Sequence, residues 1–277
     1  MKKIISMILA VVMIATMALT FTSCKKSDWA AIKEEGVFVC GITIYEPMNY
    51  CEVEGDMSTL TGFDTELAKL VAEKLGVQVK FQEIVWGNKY LELNAGNIDC
   101  IWNGFTSNSK DDDGIERADK VDFTHAYLDN KQCVVVKKDA LANYTSAASL
   151  AGKKGTAETD SAGESYAKTV TTVEIVGKTS QMDTFSEVKS GAVDFAVVDV
   201  LLAEKLVGKG NLSDLAIVTS IEIDKEVYSI GCRKDSDFDE KINEALIELL
   251  NEGKIEELAE KYNVRVTDSL LEMKTAK

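Results

Sequence analysis

Apolar residues in the first third of the chain follow two different periodicities, that of a strand and that of a helix. Val37–Ile42 is almost wholly apolar, which predicts a buried strand. Residues 65–75 carry apolar side chains at helical spacing, so they predict a helix with Asp64 as its N-cap and Gly76 at its C-terminus. Residues 77–81 alternate between apolar and polar, which predicts a second strand. This order favours an α/β fold in which a mostly parallel sheet is flanked by helices.

The same rhythm returns twice further along the chain. Lys89–Ala95 predicts a helix that ends at Gly96 and leads into a strand at residues 98–102. Residues 182–189 predict a helix that leads in the same way into a strand at residues 193–199. In open α/β sheets ligands bind beyond the carboxyl ends of the strands, so the residues that follow these two strands are candidates for a site. The remaining predicted elements are a strand at residues 173–176 and helices at residues 238–253 and Lys254–Tyr262.

The first 24 residues have the pattern of an export signal. A basic start is followed by an uncharged, mostly apolar run at residues 4–22, which is typical of a secretory signal. An uncleaved anchor is the alternative, because the run of about 19 residues borders on the length of a membrane-spanning helix. Phe21-Thr22-Ser23-Cys24 resembles a bacterial lipobox, with Phe21 where an aliphatic residue is usual, and this favours cleavage before Cys24 and acylation of that cysteine. Both alternatives place the rest of the chain outside the cytoplasmic membrane.

Composition excludes several classes of function. There are 46 acidic and 31 basic side chains, and the net charge of −15 argues against a nucleic-acid binder and against loose adhesion to anionic lipid. His125 is the single histidine, so a multi-histidine metal site is excluded, and we predict neither a metal nor a cofactor. Beyond Cys24, four cysteines lie in apolar runs where cysteine acts as a small hydrophobic residue: Cys40, Cys100, Cys133 and Cys232.

A series of short motifs runs in a fixed order through nearly the whole chain beyond the signal. They are Gly62-Phe63-Asp64, Gly96-x-Ile98-Asp99, Trp102-Asn103-Gly104-Phe105-Thr106, Glu116-Arg117, Val121-Asp122-Phe123-Thr124, Gly191-x-Val193-Asp194 and Val197-Val198-Asp199. In order and spacing they resemble the extracellular solute-binding proteins of ATP-driven importers for polar amino acids. The resemblance implies a two-lobed fold of the type II periplasmic-binding-protein kind. Two strands are expected to cross between the lobes near residues 127–132 and 226–230.

The resemblance also implies a division of the chain. Residues 1–24 would be the signal and residues 28–127 the first part of lobe 1. Residues 128–227 would form lobe 2, and residues 228–277 would return to lobe 1 with the C-terminal helices. Lobes of about 100 residues have an ordinary domain size.

Seven residues are implied to hold an amino acid between the lobes: Tyr45, Trp86, Gly104, Thr106, Arg117, Ser161 and Asp199. Arg117 is expected to clamp the ligand carboxylate, since a guanidinium offers two parallel hydrogen bonds. Asp199 is expected to receive the ammonium group. Two alternatives stay open, because Arg117 could form a surface ion pair with the acidic residues near it, and Asp199 could be the N-cap of a helix at residues 201–206.

The other five residues have supporting roles in this interpretation. Thr106 and Ser161 would donate hydrogen bonds to the ligand, and Gly104 would let it approach the main chain closely. Tyr45 and Trp86 would wall its side chain with aromatic surface, with ordinary core packing as the alternative for both.

Two departures from the family pattern affect the cleft. Residues 108–115 form a longer, acidic insert that could alter one rim, and its Asp111-Asp112-Asp113-Gly114 reads as a solvated turn rather than a calcium loop. At residues 154–161 the usual strand and turn are shortened, and Asp160 stands where glycine is common. This departure at Asp160 weakens the match on which the expected role of Ser161 depends. It could also bring an extra carboxylate to the ligand, which would favour a cationic side chain.

The resemblance implies a monomeric receptor that is anchored by lipid at the extracellular face of the membrane, or in the periplasm if an outer membrane exists. It would capture a free polar L-amino acid and deliver it to the permease subunits of the importer, and it would not be an enzyme. One alternative is an exported dehydratase of cyclic amino acids, for which His125, Glu158 and Asp160 are the acid–base candidates. Another is an amino-acid sensor that reports to a membrane receptor.

Overall fold

Thirteen strands and ten α-helices alternate along residues 27–111 and 113–275, which are the part of the chain that the computed structural model describes. The predicted signal and its Cys24 lie outside the described residues. The strands are β1 (Val37–Ile42), β2 (Tyr50–Cys51), β3 (Leu60–Thr61), β4 (Gln78–Glu83), β5 (Cys100–Ile101), β6 (Asp122–Phe123), β7 (Leu128–Lys137), β8 (Gly155–Glu158), β9 (Val176–Lys178), β10 (Phe195–Asp199), β11 (Leu215–Ile217), β12 (Lys225–Tyr228) and β13 (Gly231–Cys232).

Helices cover both faces of the sheets that these strands form. The α-helices are α1 (Asp28–Glu35), α2 (Phe63–Leu75), α3 (Lys89–Ala95), α4 (Arg117–Lys120), α5 (Ala162–Val170), α6 (Gln181–Ser190), α7 (Val200–Leu206), α8 (Phe238–Asn251), α9 (Lys254–Tyr262) and α10 (Asp268–Leu271). Short 3-10 helices lie at Met57–Thr59, Trp86–Asn88, Lys138–Asn143, Ala147–Leu150 and Gly210–Leu212. Within the described ranges, no helix combines the length and the apolar composition that a membrane crossing requires.

Two mixed sheets form the two lobes. The first has the order β4-β1-β5-β13-β6, and the second has the order β11-β7-β10-β8-β9. Strands β4, β1 and β5 run parallel to one another, as do β10, β8 and β9, while the remaining pairings in both sheets are antiparallel. The predicted two-lobed α/β fold is confirmed. In each sheet four strands share one direction and one strand is reversed, β13 in the first sheet and β7 in the second.

Strands β7 and β12 connect the two sheets. The first part of β7 pairs antiparallel with β12, with Leu128 opposite Tyr228, and its second part pairs with β10 and β11 in the second sheet. These are the two crossings that the sequence places near residues 127–132 and 226–230. A long strand shared in this way gives the lobes a common, hydrogen-bonded hinge.

Asp64 is not the N-cap of α2, contrary to the sequence prediction. The N-cap position belongs to Gly62, and Asp64 is fully buried in the first turn of the helix. Its carboxylate accepts hydrogen bonds from Gly104 N at 2.9 Å and from the Tyr127 hydroxyl at 2.8 Å. Burial raises the pKa of Asp64 to about 6. Its structural task is therefore to hold the loop that follows β5. The predicted C-terminus at Gly76, in the left-handed region with φ of 70°, is confirmed.

Both lobes contain buried apolar side chains, and the largest apolar cluster is continuous from one lobe to the other. In lobe 1 the apolar side chains of α8 are buried along the length of the helix: Ile242, Ala245, Leu246, Leu249 and Leu250. In lobe 2 the core includes Val134 and Val136 of β7 and Phe195 and Val197 of β10, which alternate along their strands as sheet geometry requires. The four cysteines in apolar runs are buried as predicted, and they are free thiols.

Candidate functional site

A small cavity lies between the lobes, at the carboxyl ends of β5 and β10. This is the edge at which α/β sheets bind ligands. The cavity is lined by Trp86, Asn103, Gly104, Thr106, Arg117, Gln132, Glu158, Ser161, Ala162, Gln181 and Asp199. Lobe 1 supplies the loop after β5, the start of α4 and a 3-10 helix, while lobe 2 supplies the ends of β8 and β10 and the starts of α5 and α6. Gln132 comes from the hinge strand β7, so the cavity is bordered by both lobes and the hinge.

Six of the seven residues predicted for the site line this cavity, and Tyr45 does not. The Tyr45 ring is buried behind Gly104, and its hydroxyl bonds to the Tyr228 hydroxyl at 2.7 Å. A Cβ atom on Gly104 would lie 2.8 Å from Tyr45 Cε1 and 3.0 Å from Tyr228 Cε2, and the Gly104 φ of 56° is unfavourable for other residues. The two tyrosines therefore support the loop from behind. The expected aromatic wall at Tyr45 is corrected to a packing role.

Trp86 and Thr106 are held at the cavity by different neighbours. The Trp86 ring packs edge-on against Phe105 with the ring centres 5.3 Å apart. Thr106 forms a β-bridge with Tyr228, so hinge strand β12 fixes its position, and its hydroxyl donates to Glu226 Oε2 at 3.2 Å. Both side chains are thus part of the ordered wall on the lobe 1 side.

Arg117 is deeply buried, with 1% of its surface exposed. Its Nε donates to Asp111 Oδ1 at 2.9 Å, its Nη1 to the Thr106 carbonyl at 3.1 Å and its Nη2 to the Asp160 carbonyl at 3.2 Å. The guanidinium also lies 5.3 Å from the centre of the Phe105 ring, a cation–π distance. The alternative of a surface ion pair is wrong. Because Asp160 belongs to lobe 2, the Nη2 bond joins the lobes across the cavity.

The partner of Arg117 comes from the acidic insert. Asp111 was expected in a solvated turn, but its side chain is only 5% exposed and it also binds Lys120 Nζ at 3.0 Å and the Tyr90 hydroxyl at 2.7 Å. The insert folds back through a bridge between residues 110 and 116, which turns Asp111 inward. Burial alone would raise the pKa of Asp111, but the hydrogen bond from Tyr90 and the charge of Arg117 lower it below its ordinary value. Asp113 keeps the exposed position predicted for the turn.

Asp160 contributes its backbone to the cavity rim. Its φ of 59° lies in the left-handed region, which explains why glycine suits this position and why aspartate is tolerated there. The Asp160 carbonyl accepts from Lys89 Nζ at 3.1 Å as well as from Arg117. Lys89 is fully buried, and burial, followed by the charge of Arg117, lowers its pKa to about 8. The carboxylate of Asp160 is not among the lining groups, so the extra carboxylate expected from Asp160 is not found there.

Ser161 and Asp199 stand at the starts of two helices of lobe 2. Ser161 is the N-cap of α5, and its hydroxyl accepts from Glu164 N at 3.0 Å while it lines the cavity. Asp199 occupies the N-cap position of α7, but its side chain forms no capping hydrogen bond. Its carboxylate instead accepts from Asn130 Nδ2 at 2.6 Å, from Gln132 Nε2 at 2.8 Å and from the Gln181 side chain. The capping alternative for Asp199 is therefore correct for its position, but its carboxylate is used by these amide groups and not as a helix cap.

Two further carboxylates accompany Asp199. Glu158 lines the cavity, and burial and then the charge of Asp199 raise its pKa to about 8. Glu226 on β12 accepts from Gln132 Nε2 at 2.9 Å, and the same two causes raise its pKa to about 7. The pKa of Asp199 itself is also raised, chiefly by burial. Among the described residues, none of these three carboxylates has a lysine or arginine partner.

Sequence reasoning missed Gln132, Gln181 and Glu226 as parts of the site. Gln132 and Glu226 fall inside the two predicted crossings, and that position was a usable signal, since crossing strands border the cleft. Gln181 immediately precedes a predicted helix, where nothing in its local pattern distinguishes it from any other polar residue. In the part of the chain that is described, no cluster of three or more His, Cys, Asp and Glu side chains is arranged to hold a metal ion.

Guanidinium donors at one end of the cavity and carboxylates at the other suit a small zwitterion. Two lobes on a shared hinge, with such a cavity between them, define a protein that encloses a solute. Residues 38–265 match the model of the bacterial extracellular solute-binding proteins, family 3, and the chain belongs to this family. The resemblance inferred from the sequence motifs is thereby confirmed.

Relatives of known name align with most of the length of this chain. The arginine-binding extracellular protein ArtP of Bacillus subtilis (strain 168) is 27% identical over 267 residues, which is 95% of this chain and 98% of the relative. The L-cystine-binding protein TcyA of the same organism is 26% identical over 237 residues, or 84% of each chain. These relatives share the family while differing in the solute that they are named for.

Solved structures agree with the fold. The crystal structure of the P235GK mutant of ArgBP from T. maritima has a TM-score of 0.76 at 30% identity and covers 85% of this chain and 99% of its own. AncCDT-1, an ancestral amino acid-binding protein and a precursor of cyclohexadienyl dehydratase, has a TM-score of 0.74 at 26% identity, with 85% and 99% coverage.

Proposed function

We propose that this chain is the extracellular receptor of an ATP-driven importer and that it binds a free polar L-amino acid between its lobes. The observation that carries the proposal is the position of Arg117 and Asp199 on one cavity, each contributed by a different lobe. An α-amino acid has one negative and one positive group a short, covalently fixed distance apart, so it can bridge such a pair. The names of the relatives, which include arginine and cystine binders, support this solute class.

In this proposal the ligand carboxylate binds at the Arg117 end. Arg117 Nη2 now bonds to the Asp160 carbonyl, and an incoming carboxylate would take over that donor. Thr106 and Ser161 would add hydroxyl donors, while Gly104 leaves room beside the main chain. Trp86 would pack against the ligand's side chain. The ammonium group would bind Asp199, whose present donors are all uncharged.

Ligand binding would stabilise the closed arrangement of the lobes. Asp160 already accepts hydrogen bonds across the cavity from Lys89 and Arg117 of the other lobe. A ligand that contacts both lobes adds to these bonds only when the lobes are together, so it shifts the population towards closure. Strands β7 and β12 would serve as the hinge, with lobe boundaries at residues 28–127, 128–227 and 228–277.

The setting of the receptor is part of the same proposal. Acylation of Cys24 would hold a monomer at the extracellular face of the membrane, or in the periplasm if the source has an outer membrane. Each lobe would then dock on one permease subunit, and closure would signal that cargo is present. Labelling with a radioactive fatty acid in a bacterial host tests the anchor, with Cys24→Ala as the variant that must lose the label.

A dehydratase remains the second candidate, because Glu158 with its pKa of about 8 could act as a general acid in the cavity. The structural similarity to a dehydratase precursor is consistent with this. His125 gives it no support, since it is not among the lining residues and its backbone N–H binds Asn243 instead. An assay for water elimination from cyclic amino acids separates this candidate from a receptor, which would leave them unchanged.

Calorimetric titration tests the receptor directly. The chain without its signal would be unfolded and refolded to remove any carried ligand, then titrated with the common L-amino acids and cystine. We expect micromolar or tighter binding to one or a few of them. Arg117→Lys keeps the charge but loses the fork, so it should bind at least tenfold more weakly, and Glu174→Gln, an exposed change in lobe 2, should bind like the parent. A folded protein that gives no heat with any amino acid would refute the proposal.

A further inference from the structure

Glu158 is the last residue of β8, and its side chain reaches the cavity from lobe 2. Only 4% of the residue is exposed, and its Oε1 is buried without a hydrogen-bond partner among the described residues. Buried carboxylate oxygens are normally paired, because leaving one unpaired carries a desolvation penalty. An unpaired carboxylate oxygen on a residue that lines a binding cavity therefore indicates a group that arrives with the ligand.

The charges that face Glu158 leave it without a protein partner. Asp199 on β10 and Asp183 on α6 are negative, and both raise the pKa of Glu158. Lys89 on α3 is the cation that lowers it, but the Lys89 Nζ is bound to the Asp160 carbonyl and forms no ion pair with Glu158.

The second cation at the cavity is already paired within its own lobe. Arg117 has Asp111 as its partner through a 2.9 Å contact. Glu226 adds a further negative charge at the hinge, where its neighbours are Asp199 and Arg117. The cavity therefore has more carboxyl groups than cations around it before any ligand enters.

A neutral amino acid would leave this imbalance in place. Under the proposed function, the carboxylate of a neutral amino acid binds Arg117 and its ammonium group binds Asp199, so Glu158 stays unpaired. A ligand with a second cation would satisfy Glu158 as well. The Trp86 ring lines the same cavity and already has the Lys89 ammonium group 5.0 Å from its centre, so Glu158, and not this ring, is the group with which a ligand cation would pair.

Resting on the proposed function, we propose that the cavity selects amino acids with a cationic side chain and that Glu158 is the residue that binds this cation. Arginine and lysine carry the chemistry that fits. Glu158 is thus a specificity-determining residue, and the binding of the main-chain groups at Arg117 and Asp199 is a separate task. The sequence suggested that Asp160 would bring an extra carboxylate to the ligand. Glu158, two residues earlier at the end of β8, is the residue whose carboxyl group lines the cavity instead.

Proton release follows from the same arrangement. In the free protein the pKa of Glu158 is about 8, so most of this carboxyl group is protonated at pH 7. A bound cation favours the ionised form and lowers the pKa, so binding should expel close to one proton per ligand. Affinity for a cationic amino acid should therefore rise between pH 6 and pH 8.

The test compares ligands that differ only in charge. L-Arginine is paired with L-citrulline and L-lysine with L-norleucine, and each is titrated by calorimetry at pH 7 in phosphate and in Tris, whose ionisation enthalpies differ. We expect arginine to bind about 10- to 100-fold more tightly than citrulline, the range that a charge-assisted hydrogen bond supports. The heats in the two buffers should differ by the ionisation enthalpy of nearly one proton for arginine and of none for citrulline.

Glu158→Gln is the matched variant, since it keeps the shape of the side chain and removes its charge. It should reduce the preference for arginine to about threefold or less, leave citrulline binding unchanged and abolish the proton release. Glu174→Gln should preserve all three properties. If Glu158→Gln fails to fold by circular dichroism, the charge preference and the proton count of the parent protein decide the question.

Each result has a defined meaning. Equal binding of arginine and citrulline and of lysine and norleucine would overturn the inference and leave an amino-acid receptor intact. An undiminished preference in folded Glu158→Gln, or cystine as the preferred solute with arginine much weaker, would overturn it as well. Binding of no amino acid at all would overturn both this inference and the proposed function.

Discussion

The two walls of the cavity treat buried charge in opposite ways. On the lobe 1 side Arg117 is neutralised before any ligand arrives, because Asp111 pairs with it inside the same lobe. On the lobe 2 side the hydrogen-bond donors to Asp199 are uncharged, and Glu158 has an oxygen without any partner among the described residues. The positive wall, which is Arg117 on the lobe 1 side, is thus paired within the protein. The negative wall, which is Asp199 and Glu158 on the lobe 2 side, has no paired cation in the described part of the chain until a ligand binds.

This contrast explains how one site can be both ordered and receptive. A guanidinium held on three sides keeps its orientation, so little entropy is lost when a carboxylate binds. Carboxylates without a cation remain costly until a positive group arrives, so they give binding its drive and its selectivity. Each of the following changes alters one wall and leaves the other in place.

The largest effect should come from breaking the pair on the positive wall. Asp111→Asn removes the charge that neutralises a buried arginine, which should reduce the free energy of unfolding by about 3–5 kcal/mol. Chemical denaturation of the two proteins measures the difference. Asp113→Asn is the control, because this neighbouring carboxylate is exposed and its removal should change stability by less than about 0.5 kcal/mol. Equal stability of Asp111→Asn and the parent would mean that the wall is not held by this pair.

The negative wall should respond in binding rather than in stability. Asp199→Asn should weaken ligand binding by about 2–4 kcal/mol, or roughly 30- to 1000-fold, because the ammonium group loses its charged partner. The free protein should be no less stable than the parent, since burial already disfavours the charged form of Asp199. Parallel calorimetry and thermal unfolding test the two halves. A stable variant with parental affinity would contradict the role of Asp199.

The free energy of unfolding should depend on pH, because several carboxyl groups are buried in the folded protein. Burial raises the pKa values of Glu158, Glu226 and Asp64 to about 8, 7 and 6, so the folded protein binds more protons than the unfolded chain between about pH 4 and pH 8. Their contribution to stability is complete at the acidic end and is lost as the pH rises through the folded pKa values. The unliganded protein should therefore lose stability from pH 5 to pH 8, by up to about 1.4 kcal/mol per pH unit for each group that titrates.

Glu158→Gln checks the assignment of this loss. The variant should show a smaller decline over the same range, by up to about 3–4 kcal/mol in total. Denaturation at pH 5, 6.5 and 8 is sufficient to see it. A parallel decline in the variant and the parent would place the titration elsewhere.

The smallest effect should come from Ser161, which supports lobe 2 through a helix cap. Ser161→Ala loses the hydrogen bond to Glu164 N and should reduce stability by about 1 kcal/mol. If its hydroxyl also donates to the ligand, affinity should fall by about tenfold or less. Ser161→Thr keeps a capping hydroxyl and should recover most of both losses. Full affinity in Ser161→Ala would limit Ser161 to the cap.

Much of the fold was accessible from the sequence, because local periodicity survives folding. Strand β1 and helices α3 and α9 have the predicted bounds, and the two helices end at left-handed residues, Gly96 and Asn263. The strand expected at residues 173–176 starts only at Val176, since the backbone N–H of Val173 binds the Thr171 hydroxyl in a turn. Such side-chain competition with the ladder leaves no trace in hydrophobic periodicity.

The site was only partly accessible, and the reason is the range of its contacts. Six lining residues could be named, because they stand next to strand ends or in family motifs. The inward turn of Asp111 depends on Tyr90, Lys120 and Arg117, and the unpaired state of Glu158 depends on where Lys89 is bound. Which charges are neutralised depends on partners that only the tertiary fold brings together. The order of acidic residues in the sequence therefore does not reveal which carboxylates are neutralised.

The most direct test of the account is a crystal structure of the protein with bound L-arginine. We predict that the ligand carboxylate contacts Arg117, that its α-ammonium group contacts Asp199, and that its guanidinium lies about 2.7–3.0 Å from a carboxylate oxygen of Glu158. The Arg117–Asp111 pair should be unchanged. Arginine bound outside this cavity, or bound within it with Glu158 still unpaired, would contradict the claim that the ligand completes the negative wall.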